Sequence, residues 1–249
     1  MSFPNSIAGN YGWEKEETSS QKHPLGTLMT FPDGRKFRYT HNGGTAIGEG
    51  LLAASEALVA HHGSDGDLAV ATTAAGSTTI SVTLEGTDAA KDLYAEGYLW
   101  FNAAGTSVHE FYKIKSHPAI GSSSAGTITL DEESGLHQAV TNGTDTAGLM
   151  RNPYKDAIVA TAALNERPIG VTVNNFTADY YGWLQTAGLS VAKIDAGSTA
   201  ALNTPLSPSA NHAGQLGPVG ADTSGGVARI VSLAAVDNEY CPVFLYNME

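Results

Sequence analysis

In the second half of this chain's first hundred residues, apolar side chains fall at every second position in short runs closed by glycine, a pattern that buries them only if the runs pair as strands. Within Ser77–Leu84, Ile80, Val82 and Leu84 lie on one side and Thr79, Ser81 and Thr83 on the other, bounded by Gly76 and Gly86. Similar runs occupy Tyr98–Phe101 and Val108–Lys115, flanking the turn residues Asn102-Ala103-Ala104-Gly105. Further runs are Thr127–Leu130, Ala157–Thr161, Ile169–Val173, Tyr181–Thr186, Leu189–Ile194, Val227–Leu233 and Tyr240–Tyr246. So many short strands, with almost no helical periodicity between them, predict an all-β chain of barrel or sandwich regions rather than a parallel βαβ sheet.

Local turn chemistry is clearest at Leu25–Thr40. Phe31-Pro32-Asp33-Gly34 separates two strand-like runs: Pro32 pre-sets the first corner, Asp33 accepts a local backbone bond, and Gly34 takes a left-handed position. Gly50–Ala60 has the one helical spacing, with Leu51, Leu52, Ser55, Leu58 and Val59 on one side, and predicts at most one short helix of about three turns. Residues 1–24 read as an extended N-terminal arm, and Phe3, Ile7, Tyr11 and Trp13 make it adhesive rather than merely solvating. The Gly/Ser/Ala-rich stretch Asp195–Gly226, with Pro205, Pro208 and Pro218, reads as a surface excursion. The turn-rich stretch Asn142–Pro153 marks a boundary, giving a first β-rich region over 25–147 and a second over 148–249. In the second, the large rings of Tyr180, Tyr181 and Trp183 are expected in the core or in a subunit interface.

Charge narrows the partners. The 249 residues carry 13 Lys+Arg against 25 Asp+Glu, a net charge of −12 that opposes binding to a phosphate backbone. No run approaches the length of a membrane-spanning helix, and the first residues lack the basic start and apolar core of an export signal. The expectation is no nucleic acid, no membrane and no export. Cys241 is the single cysteine, which excludes an intramolecular disulfide and fits a small buried apolar side chain.

Chemistry-bearing motifs are absent or incomplete. His61-His62-Gly63-Ser64-Asp65-Gly66-Asp67 clusters metal-ligand types, but counted from Asp65 the positions that a calcium loop needs hold Val70 and Gly76, so it reads as a solvated turn. His109-Glu110 lacks the second histidine of a zinc-protease helix, because Lys113 occupies its position. Asp131-Glu132-Glu133 reads as a solvated turn rather than a glycosidase pair. With no nucleophile elbow, P-loop or dinucleotide glycine pattern, the expectation is a non-enzyme with no cofactor, metal or small-molecule substrate.

Five segments in order, LGTLMTFPDGRKFRYTHNGGTAI, YAEGYLWFN, HEFYKIKSHP, RNPYKDAIV and PIGVTVNNFTADYYGWLQTAG, resemble a family of virion structural proteins of tailed bacteriophages, most closely the head decoration or cement proteins. The resemblance spans Leu25 to about Asp195 and consists of strand-and-turn signatures rather than catalytic motifs. It implies a viral structural protein made in the bacterial host cytoplasm and placed on the capsid exterior, with the major capsid protein and two further copies of itself, as a homotrimer, for partners. Phe3, Ile7, Tyr11 and Trp13 of the arm are then the candidate capsid-binding residues, and Pro32, Asp33 and Gly34 a structural turn. A tail, baseplate or receptor-binding module of the same virion is the alternative.

Overall fold

Phe31 to Arg35 form the turn that local chemistry predicts. The Gly34 N–H donates to Phe31 O (3.0 Å), the Phe31 N–H donates to Arg35 O (3.0 Å), and Gly34 stands at a φ of +87°. Asp33 Oδ1 accepts from the Arg35 N–H. The computed structural model describes residues 6–63, 66–103, 110–162, 166–195, 201–219, 226–232, 238–246 and 248. Phe3, Asp65, Ala104, Gly105 and His109, all singled out above, lie outside them.

Seventeen strands occur among the described residues. The first four are β1 (Ser6–Ala8), β2 (Leu28–Thr30), β3 (Lys36–His41) and β4 (Leu52–Ala54). Next come β5 (Leu68–Val70), β6 (Thr79–Thr83), β7 (Tyr98–Ala103), β8 (Phe111–Ser116), β9 (Ala125–Leu130) and β10 (Asp145–Met150). The chain ends with β11 (Ile158–Val159), β12 (Pro168–Thr172), β13 (Tyr181–Ile194), β14 (Pro205–Pro208), β15 (Leu216–Pro218), β16 (Ala228–Ile230) and β17 (Glu239–Leu245). They fall into two compact units, residues 1–57 with 153–249, and residues 58–152.

The 58–152 unit is a closed antiparallel barrel in the order β10-β5-β6-β9-β8-β7. Its strands alternate over most of their length, with Gly148 of β10 buried out of step, so Leu68, Val70, Ile80, Val82, Leu99, Ile114 and Ile128 fill the interior at 0–1 % exposure. Closure removes the free edges that short Thr-rich strands would otherwise present. His62 is part of this packing rather than a solvated turn residue. Its Nδ1 meets Tyr94 Oη at 2.6 Å and its Nε2 meets Thr87 O at 2.9 Å. A carbonyl only accepts, so Nε2 carries the proton and Nδ1 accepts from the tyrosine.

In the other unit the 14-residue β13 changes partners partway along. Tyr181–Ala187 pair with β3, and Leu184 and Gln185 also pair with β12; Gly188–Ile194 pair with β17. The register shifts between Gln185 and Ala187, and Gly188 at φ +89° takes the bend. Beyond it the ladder β13-β15-β14-β16-β17 returns to β13 and closes on a core of Ala192, Ile194, Leu206, Leu216, Val243 and Leu245. Cys241 is buried in that core, and burial pushes its thiol pKa up. On the other side of the bend Trp183 packs edge-on to Tyr39 (5.0 Å) in a cluster with Met29, Phe31 and Phe37.

Four expectations are corrected. The helix expected over Gly50–Ala60 is absent: Leu52–Ala54 form a strand buried at every residue, held between β12 and β11. A short apolar run satisfies a helical face or a doubly covered strand equally, and here the distant partners decide. The boundary expected at 147/148 falls inside β10, and the chain instead leaves the first unit after Ala57 and re-enters it at Pro153. The Asp195–Gly226 excursion supplies β14 and β15 of the closed ladder, with Leu206 and Leu216 fully buried; its prolines 205, 208 and 218 sit at strand ends, where a missing N–H is tolerated. Residues 6–24, finally, are extended but not free. β1 runs parallel to β2, Ile7 packs on the Phe31–Phe37 cluster, and Thr18 bridges to Tyr181.

Candidate functional site

The residues singled out from the sequence are brought together only in part: Ile7, Tyr181 and Trp183 share the cluster around Phe31 and Phe37, whereas Tyr180 does not. Tyr11 stacks on Phe31 (5.5 Å, 30°) while remaining 65 % exposed, and Trp13 begins a single 3₁₀ turn at 39 % exposure. Trp183 is buried, Tyr181 packs half-buried on the cluster around it, and Tyr180 packs on a separate cluster with Ile47, Phe176 and Leu184. No group of three or more His, Cys, Asp or Glu residues able to hold a metal occurs among the described residues.

The surface that stands out is the outward face of β13 and β17. Leu189 pairs with Phe244, Val191 with Pro242 and Lys193 with Tyr240, so the six side chains share one face as three cross-strand pairs. Leu189, Val191, Tyr240 and Phe244 are 43–55 % exposed, and Val231, following β16, is 48 % exposed. Five side chains about half exposed amount to roughly 500 Å² of apolar surface, at the upper end of what monomeric proteins leave open. Charges border the row. Lys193 Nζ lies 5.3 Å from the Tyr240 ring centre, and Arg229, opposite Phe244, lies over the Tyr246 ring at 5.7 Å.

Beside this face is a cleft of about 680 Å³ lined by Leu189, Val191, Tyr240, Pro242, Val173, Thr172, Asp33, Arg35 and Glu49. The turn at Pro32–Gly34 therefore also positions chemistry. Arg35 Nε donates to Asp33 Oδ2 (2.8 Å), and its guanidinium lies 5.0–5.6 Å from the ring centres of Tyr11, Phe31 and Phe37. Slight desolvation works upward on the Asp33 pKa, but the Arg35 N–H bonds and charge prevail and hold it below the usual carboxylate value. Glu49 accepts from Tyr240 Oη at 3.3 Å and has no cationic partner among the described residues.

Sequence reasoning missed Leu189, Val191, Tyr240 and Phe244. Their signal was present: in Tyr240–Leu245 both alternating sets are apolar, so a strand covered on one side must expose the other set. No family model, curated protein or solved structure matches the chain.

Proposed function

We propose that this is a non-enzymatic virion structural protein that docks on the exterior of a tailed-phage capsid as a homotrimer, at three-fold or quasi-three-fold positions, and cements the shell against internal DNA pressure. The observation that carries the reading is the exposed Leu189–Val191–Tyr240–Phe244 face on a closed and therefore stiff β-ladder, taken with the five strand-and-turn segments that resemble decoration proteins. A preformed face loses little conformational entropy on docking, which suits a clamp that must hold under load. Because residues 6–24 are laid along their own unit, adhesion falls to this face rather than to the arm, with Tyr11 and Trp13 as exposed accessory contacts. Co-sedimentation with particles stripped of the protein tests it: wild-type protein pellets with them, and Leu189→Asp/Phe244→Asp, folded by circular dichroism, stays in the supernatant. Pelleting of the double variant at wild-type affinity, or a location in the tail of the intact virion, rejects it.

One observation favours the receptor-binding alternative. On the barrel exterior Phe111 is 53 % exposed and stacks on Tyr98 (4.6 Å, 20°), the kind of flat aromatic pair on which a sugar ring can lie. Saturable quenching of the neighbouring Trp100 by oligosaccharides would support that reading.

A further inference from the structure

The cleft contains backbone polar groups that the ladder leaves open. Pro242 O accepts from the N–H groups of Val231 (3.0 Å) and Ser232 (3.3 Å), so its carbonyl faces away from β13. Val191, directly opposite Pro242, is thus in a non-hydrogen-bonded pair and directs its own N–H and C=O away from β17. Its neighbours of the same parity agree: the Lys193 N–H donates to Gly50 O (2.8 Å), and Leu189 O accepts from Gln185 Nε2 (2.8 Å). Between these two closed positions the N–H and C=O of Val191 have no further partner among the described residues. They face a cleft with apolar walls at Leu189, Tyr240 and Pro242 and an unpaired carboxylate, Glu49, at the Lys193 end.

We infer that this cleft receives one extended segment of the capsid shell protein as an added strand, bonded to both backbone groups of Val191, with alternate apolar side chains on Leu189 and Val191 and a Lys or Arg against Glu49; the inference rests on the docking reading above. Strand addition fits because backbone bonds supply affinity while alternate side-chain pockets supply selectivity. The window from Leu189 to Lys193 spans about 13 Å, room for four or five extended residues. Charge points the same way. Arg35 is neutralised by Asp33 at 2.8 Å, leaving Glu49 as the unpaired charge of the lining in a chain of net charge −12.

The test uses overlapping 12-residue peptides tiling the shell protein of the same virion, immobilised and probed with the full-length protein, beside co-sedimentation with stripped particles. The expected result is one binding segment with an apolar-x-apolar pattern and a basic residue. Its binding falls tenfold or more in Val191→Pro, which removes the donor without touching the β17 ladder, and in Glu49→Lys, where exchanging the peptide's basic residue for Glu restores it. Slowed hydrogen exchange at the Val191 amide on adding that peptide checks the same contact in the unmutated protein. If the protein pellets with particles but no peptide binds, or if binding is indifferent to both substitutions, strand addition is wrong and the docking reading survives. If the protein does not pellet with particles, the docking reading falls and takes the shell protein with it as the source.

Discussion

A methyl group added to Gly188 would lie 3.1 Å from the Cα of Arg35, at a position whose φ is already +89°. The two residues meet where β13 leaves β3 and passes to β17, so a single backbone contact joins the bend of the long strand to the turn that carries Arg35. Gly188→Ala should destabilise the protein by about 1–3 kcal/mol, since neither φ nor the neighbouring backbone can give way cheaply. Gly44→Ala meets nothing within 4 Å and is the matched control. Urea unfolding of both variants checks the difference, and equal midpoints would remove the bend from the account.

Gly34 poses the separate question of conformation without crowding. An added Cβ there has open space around it, yet φ is +87°. Gly34→Val should therefore cost about 1–2 kcal/mol from backbone strain alone, and Gly34→Asn much less, because Asn enters the left-handed region more readily. Thermal midpoints that fail to separate Val from Asn would contradict this assignment.

Replacing Trp183 should be among the most damaging single changes in its unit. The ring is 7 % exposed and packs against Tyr39 and His23. Trp183→Ala should destabilise by about 3–5 kcal/mol, read by denaturant midpoint. A loss under about 1 kcal/mol would mean that neighbouring rings refill the space.

Acid should weaken the barrel unit through His62. Burial, opposed by bonds to backbone carbonyls, lowers its pKa in the folded state below the ordinary 6.5. The unfolded chain therefore binds the proton more readily, so stability is fully present above about pH 6.5 and is lost as pH falls below it. His23, in the other unit, is shifted the same way by burial, so acid should weaken that unit too. The thermal midpoint should drop between pH 7 and pH 5, and His62→Gln should flatten part of that slope. An unchanged slope would assign the acid response to other groups.

What could be read from the sequence was whatever is decided within a few residues. The Pro32-Asp33-Gly34 turn follows from one fixed φ, one side-chain acceptor and one left-handed glycine, and no distant partner is needed. The alternation in Thr79–Thr83 likewise fixes a half-buried strand, and enough such strands without helices define an all-β chain. Leu52–Ala54 resisted the same reading because a run of apolar residues has no period of its own, and only pairing with Ile158–Val159 and Pro168–Val171 made it a strand. The docking face was hidden for a related reason. Along Tyr240–Leu245 both alternating sets are apolar, and along Leu189–Ile194 each set carries one polar residue, Lys193 or Ser190, so sequence cannot tell which set faces inward. Closure of the ladder through β14, β15 and β16 put Ala192, Ile194, Cys241 and Val243 inside and left Leu189, Val191, Tyr240 and Phe244 outside, because a ring only five strands around has room for one set and the smaller side chains fill it.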